Sequence, residues 1–246
     1  MKKPLISVVV PTLNEENLIE KCLLSVKNQT YRNFELILSD NGSTDKTVKI
    51  AKKYCDKIVF EKKRGVAHTK NKGMESAKGD IIVLLEADTT ISKNFLFEVY
   101  KNINGSAIGV TCPCGILELD GKFPLFMKFN NLLVSLSIKF KHPTIPGPNP
   151  IAIKREIVSK VKFKDKVFRD DLNFSVDAGK HGKFIYLPNC LAQTSIRKVM
   201  KKGLLNQHIR FITKDIPDVF RILGLYNNFH ENAQVELWNQ RNNREY

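Results

Sequence analysis

The chain has 246 residues, of which 42% are hydrophobic and 26% charged, a composition typical of a folded globular protein and unlike that of a disordered one. Forty lysines and arginines against 25 acids give a formal net charge of +15, which favours an anionic partner such as a nucleotide or an acidic membrane surface. The basic residues are spread along the whole chain, so we expect no nucleic-acid partner.

Cysteine usage and hydropathy predict the cellular compartment of the protein. The five cysteines are odd in number and lack Cys-x-x-Cys spacing, which predicts reduced thiols and a cytoplasmic protein. The N-terminal apolar run stops at Pro11 and is too short for a signal peptide. Nowhere does an uninterrupted apolar stretch reach about 18 residues, so we expect no transmembrane helix.

The first 90 residues alternate between strand and helix patterns. Apolar, β-branched runs predict strands at 5–10, 34–38, 57–60 and 81–85, and helices are expected between them at 15–28, 44–54 and 65–77. Such alternation is typical of a doubly wound, mostly parallel sheet in an α/β domain. No Gly-x-Gly-x-x-Gly or P-loop motif is present, so this half would have to hold phosphate by other means.

Two acids follow the fourth predicted strand. Glu86 and Asp88 are two residues apart, and they would project to the same side if the extended conformation persists beyond the strand. Ligands of open α/β sheets bind outside the carboxyl ends of the strands, and paired carboxylates suit Mg²⁺ or Mn²⁺. An isolated pair of this kind is more often an ordinary solvated strand end, so the rest of the chain has to decide.

The second half is mixed. The pattern predicts a helix at 95–102, strand material at 107–119 interrupted by Pro113, a loop with four prolines at 141–150, a strand and helix within 151–161, a helix opening at Asp170 and Asp171, and a strand at 184–187. Residues 123–140 are apolar with scattered lysines, which fits either a core helix or an amphipathic helix lying on a membrane. The tail, residues 201–246, is expected to be a helical extension.

Several separated segments together resemble the family 2 glycosyltransferases, inverting enzymes of the GT-A fold that use nucleotide-diphosphate sugars. They occur in the family's order along the chain: VVVPTLNE at 8–15, SVKNQTY at 25–31, FELI at 34–37, DNGSTD at 40–45, GVAHTKNKG at 65–73, EAD at 86–88, and the acid pair at 170–171 with Gly182 downstream. The resemblance implies one domain over 1–246, with a nucleotide-binding half at 1–90, an acceptor half at 91–200 and the C-terminal extension.

On the donor side, the resemblance implies that Pro11, Thr12 and Glu15 line the nucleotide pocket. Asp40 would accept a hydrogen bond from the N3–H of uracil, which only an acceptor can read. Beside the ribose and diphosphate the resemblance places a basic segment, Lys70 with Asn71.

The acids at 86–88 and 170–171 take the chemical roles that the resemblance implies. Asp88 would hold Mn²⁺ or Mg²⁺, and Glu86, where the family has Asp, would contact ribose or sugar hydroxyls. Asp171 would be the general base, with Asp170 replacing the family's Glu beside it. Read from the residues alone, the pair at 170–171 would simply complement a helix dipole.

Five further residues are weaker candidates. His68 would contact phosphate, although a histidine in a basic loop is more often simply solvated, and Asn149 either borders the sugar site or belongs to a structural turn. Arg197 or Lys198 would clamp diphosphate or remain solvated, and Trp238 would stack on a sugar or pack internally.

The resulting hypothesis is metal-assisted, inverting transfer of a sugar, UDP-linked in our expectation, to a saccharide or lipid-linked acceptor of polysaccharide or glycolipid biosynthesis. The basic charge and the 123–140 segment suggest a peripheral position at the inner face of a membrane. A nucleotidyltransferase of similar α/β plan is one alternative, although its Gly-rich basic loop is missing after the first strand. A non-enzymatic basic module that binds membranes or polyanions is the other.

Overall fold

The computed structural model describes residues 3–103, 106–119, 124–165 and 170–197. Within these residues the chain forms an α/β structure, as predicted. The strands of the described residues are, in chain order, β1 (Ile6–Thr12), β2 (Phe34–Asp40), β3 (Lys57–Phe60), β4 (Ile81–Leu84), β5 (Thr89–Ile91), β6 (Ala107–Thr111), β7 (Cys114–Ile116), β8 (Ile151–Lys154), β9 (Lys183–Tyr186) and β10 (Ala192–Thr194).

Seven of these strands form the main sheet, in the order β3-β2-β1-β4-β8-β6-β9. The first four are mutually parallel, β8 is antiparallel to both of its neighbours, and β9 is parallel to β6. All seven residues of β1 are buried, which explains why its sequence is mostly apolar and does not alternate between apolar and polar residues. The predicted mostly parallel sheet is therefore confirmed.

Helices cover both faces of this sheet. They are α1 (Ile19–Lys27), α2 (Thr47–Ala51), α3 (Val66–Glu75), α4 (Phe95–Asn102), α5 (Leu125–Lys139), α6 (Arg155–Val158) and α7 (Asp170–Gly179). Val8 and Val10 of β1 join a core cluster with α1 and α4, whereas Val9 joins a cluster with α3, α6 and α7. The alternation of side chains along one strand thus supplies two separate cores.

Helix α1 begins later than the sequence predicts. We expected a helix from residue 15, but residues 15–18 form a turn in which the carbonyl of Glu15 accepts hydrogen bonds from the amides of Leu18 and Ile19. The segment between β1 and the helix is therefore longer, and it leaves Glu15 beside the end of β1. Helix α2 is likewise shorter than the expected 44–54.

A second, three-stranded sheet was not predicted from the sequence. Its order is β5-β10-β7, with β10 antiparallel to β5 and parallel to β7. Each of these strands has only three residues, which is too short to show a period-two pattern. This small sheet begins directly after Asp88 and anchors that residue's position.

Helix α5 settles part of the choice left open for residues 123–140. Met127, Asn131, Val134 and Ser137 are buried, so one face packs in the core. The amide of Asn131 pairs with both the N–H and the carbonyl of Cys114, each at 3.0 Å. The described helices include none with the length and apolar character needed to cross a membrane. The predicted extension at 201–246, with Trp238, and also Lys198 lie outside the described residues.

Candidate active site

Parallel pairing brings the ends of β1 and β2 to one edge of the sheet. Thr12 and Asp40, the last residues of the two strands, are partners in the register, and both are buried. Glu15 follows in the adjacent turn and is also buried. Three of the predicted donor-side residues therefore lie together at the carboxyl edge, where α/β sheets bind ligands.

The carboxylate of Asp40 is already engaged by its own loop. It accepts hydrogen bonds from the amides of Gly42 and Ser43, both at 2.9 Å, and from the Ser43 hydroxyl at 2.5 Å. A carboxylate offers about four acceptor positions, so the predicted contact with a uracil N3–H would use the remaining capacity. That contact stays a prediction.

The side chains of Thr12 and Glu15 differ in the partners that they contact. The Thr12 hydroxyl is buried and has no hydrogen-bond partner among the described residues, which is uncommon for a buried polar atom. Oε2 of Glu15 lies 2.5 Å from Nη2 of Arg197, the residue considered above as a diphosphate clamp. Pro11 is buried within β1 and pairs with Ser39 in the register.

The segment that carries Glu86 and Asp88 turns away from the strand. Strand β4 ends at Leu84, and the amide of Thr89 donates to the carbonyl of Glu86 at 3.0 Å, closing a tight turn. Glu86 and Asp88 were expected to project to the same side if the extended conformation persisted beyond the strand. The turn ends that conformation, so the expectation based on strand alternation was wrong. No glycine or proline lies between Leu84 and Thr89, so the sequence carries no strong turn signal at this bend.

The two acids have different neighbours as a result. Oε1 of Glu86 lies 3.1 Å from Nζ of Lys70. Asp88 is buried, with its Oδ1 at 3.4 Å from the hydroxyls of both Thr89 and Thr194. Glu86 is thus neutralised by a lysine, while Asp88 lies against the small sheet.

Lys70 is a buried cation at the centre of the site. Its side chain is 7% exposed, and its Nζ lies 4.8 Å from the centre of the Phe163 ring. Burial alone would lower the pKa of Lys70, but the nearby Glu86, Asp170 and Asp171 raise it well above its ordinary value. Lys70 therefore remains protonated and connects the donor-side acid to the acceptor-side pair.

Asp170 and Asp171 open helix α7, as predicted. Oδ2 of Asp171 accepts a short hydrogen bond from the amide of Gly147. Oδ2 of Asp170 is buried and has no hydrogen-bond partner within the described chain. Burial raises the pKa of Asp170, as do Asp171 and Glu86, and Lys70 opposes that shift. The two neighbouring acids therefore differ: the first has a buried oxygen without a hydrogen-bond partner in the described residues, and the second is held by a loop.

Gly147 joins the two halves of the site. A methyl group placed on this glycine would lie 3.5 Å from Oδ2 of Asp171 and 3.8 Å from Oε1 of Glu86. Glu86 and Asp171 therefore border the same small space although 85 residues separate them in the chain (171 − 86). The fold brings the two acid motifs of the sequence together.

Other predicted residues have mainly structural contacts. The Asn71 amide pairs with the backbone of Phe163, donating to its carbonyl at 2.8 Å and accepting from its amide at 3.0 Å. Nε2 of His68 lies 3.0 Å from Asp165, without hydrogen-bond geometry. The side-chain amide of Asn149 donates to the carbonyl of Cys112 at 2.8 Å. The ribose contact of Asn71 remains a prediction.

The carboxylates of the site differ in how well they suit a divalent cation. Among the described residues no group of three or more His, Cys, Asp and Glu side chains forms a metal cage. Magnesium in nucleotide sites is commonly held by one or two carboxylates together with substrate phosphates. Asp88, a carboxylate beside the hydroxyls of Thr89 and Thr194, is an oxygen donor of the type that this arrangement uses, whereas Glu86 is paired with Lys70.

Three contacts of the site were missed by sequence reasoning. They are the amide of Gly147 on Asp171, the hydroxyl of Thr194 near Asp88, and Arg197 on Glu15. The partners are separated by 24, 106 and 182 residues. No local pattern links such residues, so a single sequence offered no signal for them.

The sheet order and the acids at its carboxyl edge define an enzyme of the GT-A class, and solved structures agree. The mannosyltransferase PcManGT from Pyrobaculum calidifontis, in complex with GDP-Man and Mn²⁺, superimposes with a TM-score of 0.65 at 25% identity, covering 78% of this chain and 57% of that one. TarS from S. aureus, in complex with UDP-GlcNAc, gives a TM-score of 0.61 at 20% identity, covering 77% and 58%.

Residues 7–156 match the family described as Glycosyl transferase family 2, and the chain belongs to that family. An uncharacterized glycosyltransferase of Haemophilus influenzae is 40% identical over 210 residues, covering 80% of both chains. A beta-1,3-glucosyltransferase of Campylobacter jejuni, named for a GalNAc(5)-diNAcBac-PP-undecaprenol acceptor, is 25% identical over 191 residues, covering 74% of this chain and 62% of that one. The protein is a glycosyltransferase, which decides against the nucleotidyltransferase and the non-enzymatic basic module.

Proposed function

We propose that this protein transfers a sugar from a nucleotide diphosphate, UDP in our proposal, to an acceptor hydroxyl with inversion at the sugar carbon. The observation that carries the proposal is the shared space around Gly147. The donor-side Glu86 and the predicted base Asp171 border it from opposite halves of the chain. An inverting transfer needs this arrangement, because the base has to act from the acceptor side while the nucleotide leaves from the donor side.

The donor would lie along the carboxyl edge of β1 and β2. The buried Thr12 hydroxyl has a free hydrogen-bonding capacity there, and Glu15 and Asp40 flank it. The relatives solved with GDP-Man and UDP-GlcNAc support a nucleotide sugar as the donor class. Asp88 would hold Mn²⁺ or Mg²⁺, which when bound supplies positive charge to the diphosphate.

Asp171 would accept the proton of the acceptor hydroxyl as that oxygen attacks the anomeric carbon. The bond from this carbon to the diphosphate oxygen breaks in the same step, and the nucleotide diphosphate leaves with the bonding electrons. The Gly147 amide orients Asp171 by donating a hydrogen bond to its Oδ2. A positioned base of this kind contributes typically about 10²–10⁴-fold to the rate.

We propose a lipid-linked saccharide as the acceptor class, with transfer at the cytoplasmic face of a membrane. The undecaprenol-linked acceptor in the name of the Campylobacter jejuni relative supports this choice, as does the net charge of +15. A soluble saccharide is the alternative acceptor. The two would be distinguished by comparing transfer to a lipid-linked acceptor and to the same saccharide without its lipid.

The decisive experiment combines donor binding with turnover. We expect UDP or a UDP-sugar with Mn²⁺ to raise the melting temperature: saturation at about 100 times Kd adds roughly 2.7 kcal/mol, at about 2–4 °C per kcal/mol for a chain of this size. Asp88→Asn should lose the metal-dependent part of the shift. Asp171→Asn should keep the shift and lose on the order of 10²-fold or more in transfer rate.

Asp177→Asn is the matched control for the second variant. Asp177 lies on the same helix, α7, and its carboxylate pairs with the exposed Lys164 and Lys180. It should keep both the donor shift and transfer. Transfer that survives in Asp171→Asn would overturn the assignment of the base, and the absence of a shift with every nucleotide would overturn the donor site. A larger shift in melting temperature with GDP than with UDP would change only the proposed nucleobase of the donor, from uracil to guanine.

A further inference from the structure

Helix α5 carries apolar side chains on two faces, and one of them is exposed. We term the exposed set the α5 stripe. It consists of Leu125 (82% exposed), Phe129 (40%), Leu132 (52%), Leu136 (38%) and Phe140 (69%). Phe140 is the residue that directly follows the last residue of the helix. Met127 and Val134 form the buried face of the same helix. Core packing accounts for the second group and leaves the first without an explanation.

The α5 stripe has a regular geometry. Its residues follow one another at spacings of four, three, four and four, which at 3.6 residues per turn places them within an arc of roughly 80°. The centre of this arc is about opposite the direction of Val134, so the stripe faces away from the core. At about 1.5 Å per residue the helix presents an apolar ridge roughly 22 Å long.

The charged residues on α5 and in the loop that follows it are all basic. Between Asp120 and Glu156 the sequence contains no acidic residue. Lys128 and Lys139 are exposed and flank one side of the stripe, and the exposed Lys141 follows the helix. A second copy of this chain would bring like charges together on the same ridge, whereas an anionic lipid surface would neutralise them.

The position of α5 connects this surface to the site. The helix runs into the loop at 141–150, and the amide of Gly147 in that loop donates to Asp171. We propose that the α5 stripe docks on an anionic lipid bilayer, with the apolar side chains entering the interface and the lysines binding lipid phosphates. This inference rests on the proposed function in one respect: it identifies the surface that would present a lipid-linked acceptor to Asp171.

Vesicle co-sedimentation of the full chain tests the proposal. The probes are phosphatidylcholine vesicles with and without added phosphatidylglycerol. We expect binding to the anionic vesicles, and a decrease on the order of tenfold or more in the partition coefficient of the variant Leu132→Glu/Leu136→Glu. Both leucines are exposed, so the fold should tolerate the substitutions, which the melting temperature would verify.

A matched control variant is Leu24→Glu/Phe60→Glu, which places the same charge on other exposed apolar residues, at 40% and 58% exposure. It should bind vesicles nearly as the wild type does, apart from the general effect of two added negative charges. Lys128→Gln/Lys139→Gln should reduce the preference for phosphatidylglycerol. Salt should weaken binding only in part, because the apolar contribution is not screened.

Three outcomes would overturn the proposal. They are no binding of the wild type to anionic vesicles at low salt, equal loss of binding in the stripe and control variants, and a vesicle-free dimer that the stripe variant dissociates. The donor-induced shift in melting temperature is measured on the same proteins without vesicles. Vesicle binding that fails while the shift persists removes only the docking surface, and the reverse result removes only the proposed donor chemistry.

Discussion

Nζ of Lys70 and Oε1 of Glu86 form a largely buried ion pair at 3.1 Å, between helix α3 and the turn after β4. The pair bears on the departure of this chain from the family's acidic motif, which has Asp where this chain has Glu86. The longer side chain of Glu86 reaches the lysine. Asp88 remains the carboxylate that we propose for the cation, and Lys70 contributes a fixed positive charge beside Glu86.

Replacing Lys70 by Met should strongly destabilise the fold. The change leaves Glu86, Asp170 and Asp171 without their shared cation, and removing one partner of a buried ion pair costs about 3–5 kcal/mol. Because the Glu86 side chain is 28% exposed, we expect a loss near the lower end, about 3 kcal/mol, in urea unfolding. The double variant Lys70→Met/Glu86→Gln should recover part of it.

Lys162→Met provides the comparison for this prediction. Lys162 pairs with Glu75 at a similar distance, 3.0 Å, but both side chains are well exposed. Surface pairs contribute only about 0–1 kcal/mol. Equal losses in the two lysine variants would show that burial does not determine the strength of the Lys70 pair.

Asp170→Asn should raise the melting temperature at neutral pH. Burial raises the pKa of Asp170 in the folded state, so its contribution to stability is present below the ordinary aspartate pKa, about 3.9, and is lost as the pH rises through the raised value. Asn is neutral at every pH and removes this penalty. The gain should therefore be largest above the raised pKa and should vanish as the pH falls towards about 3.9.

Asp177→Asn should show the opposite sign on the same helix. Burial raises the pKa of Asp177, but hydrogen bonds from Lys180 and Lys164, together with the charges of these two lysines, outweigh burial and lower the pKa overall. Its contribution to stability is present above the ordinary pKa and is lost as the pH falls through the lowered value. The variant should therefore melt lower than the wild type at neutral pH. Scanning calorimetry of both variants from acidic to neutral pH would check the two signs together.

Asn71→Ala should lower the stability of the protein whatever its role towards the donor. The change removes two hydrogen bonds and leaves the backbone N–H and carbonyl of Phe163 without their partners, at a cost of about 2–3 kcal/mol. Asn102→Ala, which removes contacts confined to helix α4, should cost roughly 0.5 kcal/mol. Urea unfolding would measure both.

The donor KM of Asn71→Ala separates the two roles. A several-fold rise in KM at a temperature where the variant is fully folded would support the predicted ribose contact. An unchanged KM together with the loss in stability would restrict Asn71 to holding the segment at Phe163. A variant as stable as the wild type would contradict the importance of the hydrogen bonds to Phe163.

Strong local patterns in the sequence predicted much of the main sheet. Strands β1, β2, β3 and β4 were expected from their apolar runs, and helix α4 was placed at its observed residues. Burial on both faces requires such runs, and amphipathic spacing marks helices of two turns or more. Strands β5 and β10 were missed because three residues are too few to show a period, and only their tertiary pairing makes them strands. Strand β7 falls within the strand material predicted at 107–119, but its place in a second sheet was not expected.

The predicted site residues divide in the same way. The sequence by itself determined the chemical types: acids after strands, a basic segment at Lys70, and an acid pair at the start of a helix. Only the tertiary structure decided their partners, because the turn after β4 directs Glu86 to Lys70 and the loop at 141–150 brings Gly147 to Asp171. Local sequence sets which groups a strand end presents, whereas the distances between strand ends depend on contacts between residues far apart in the chain.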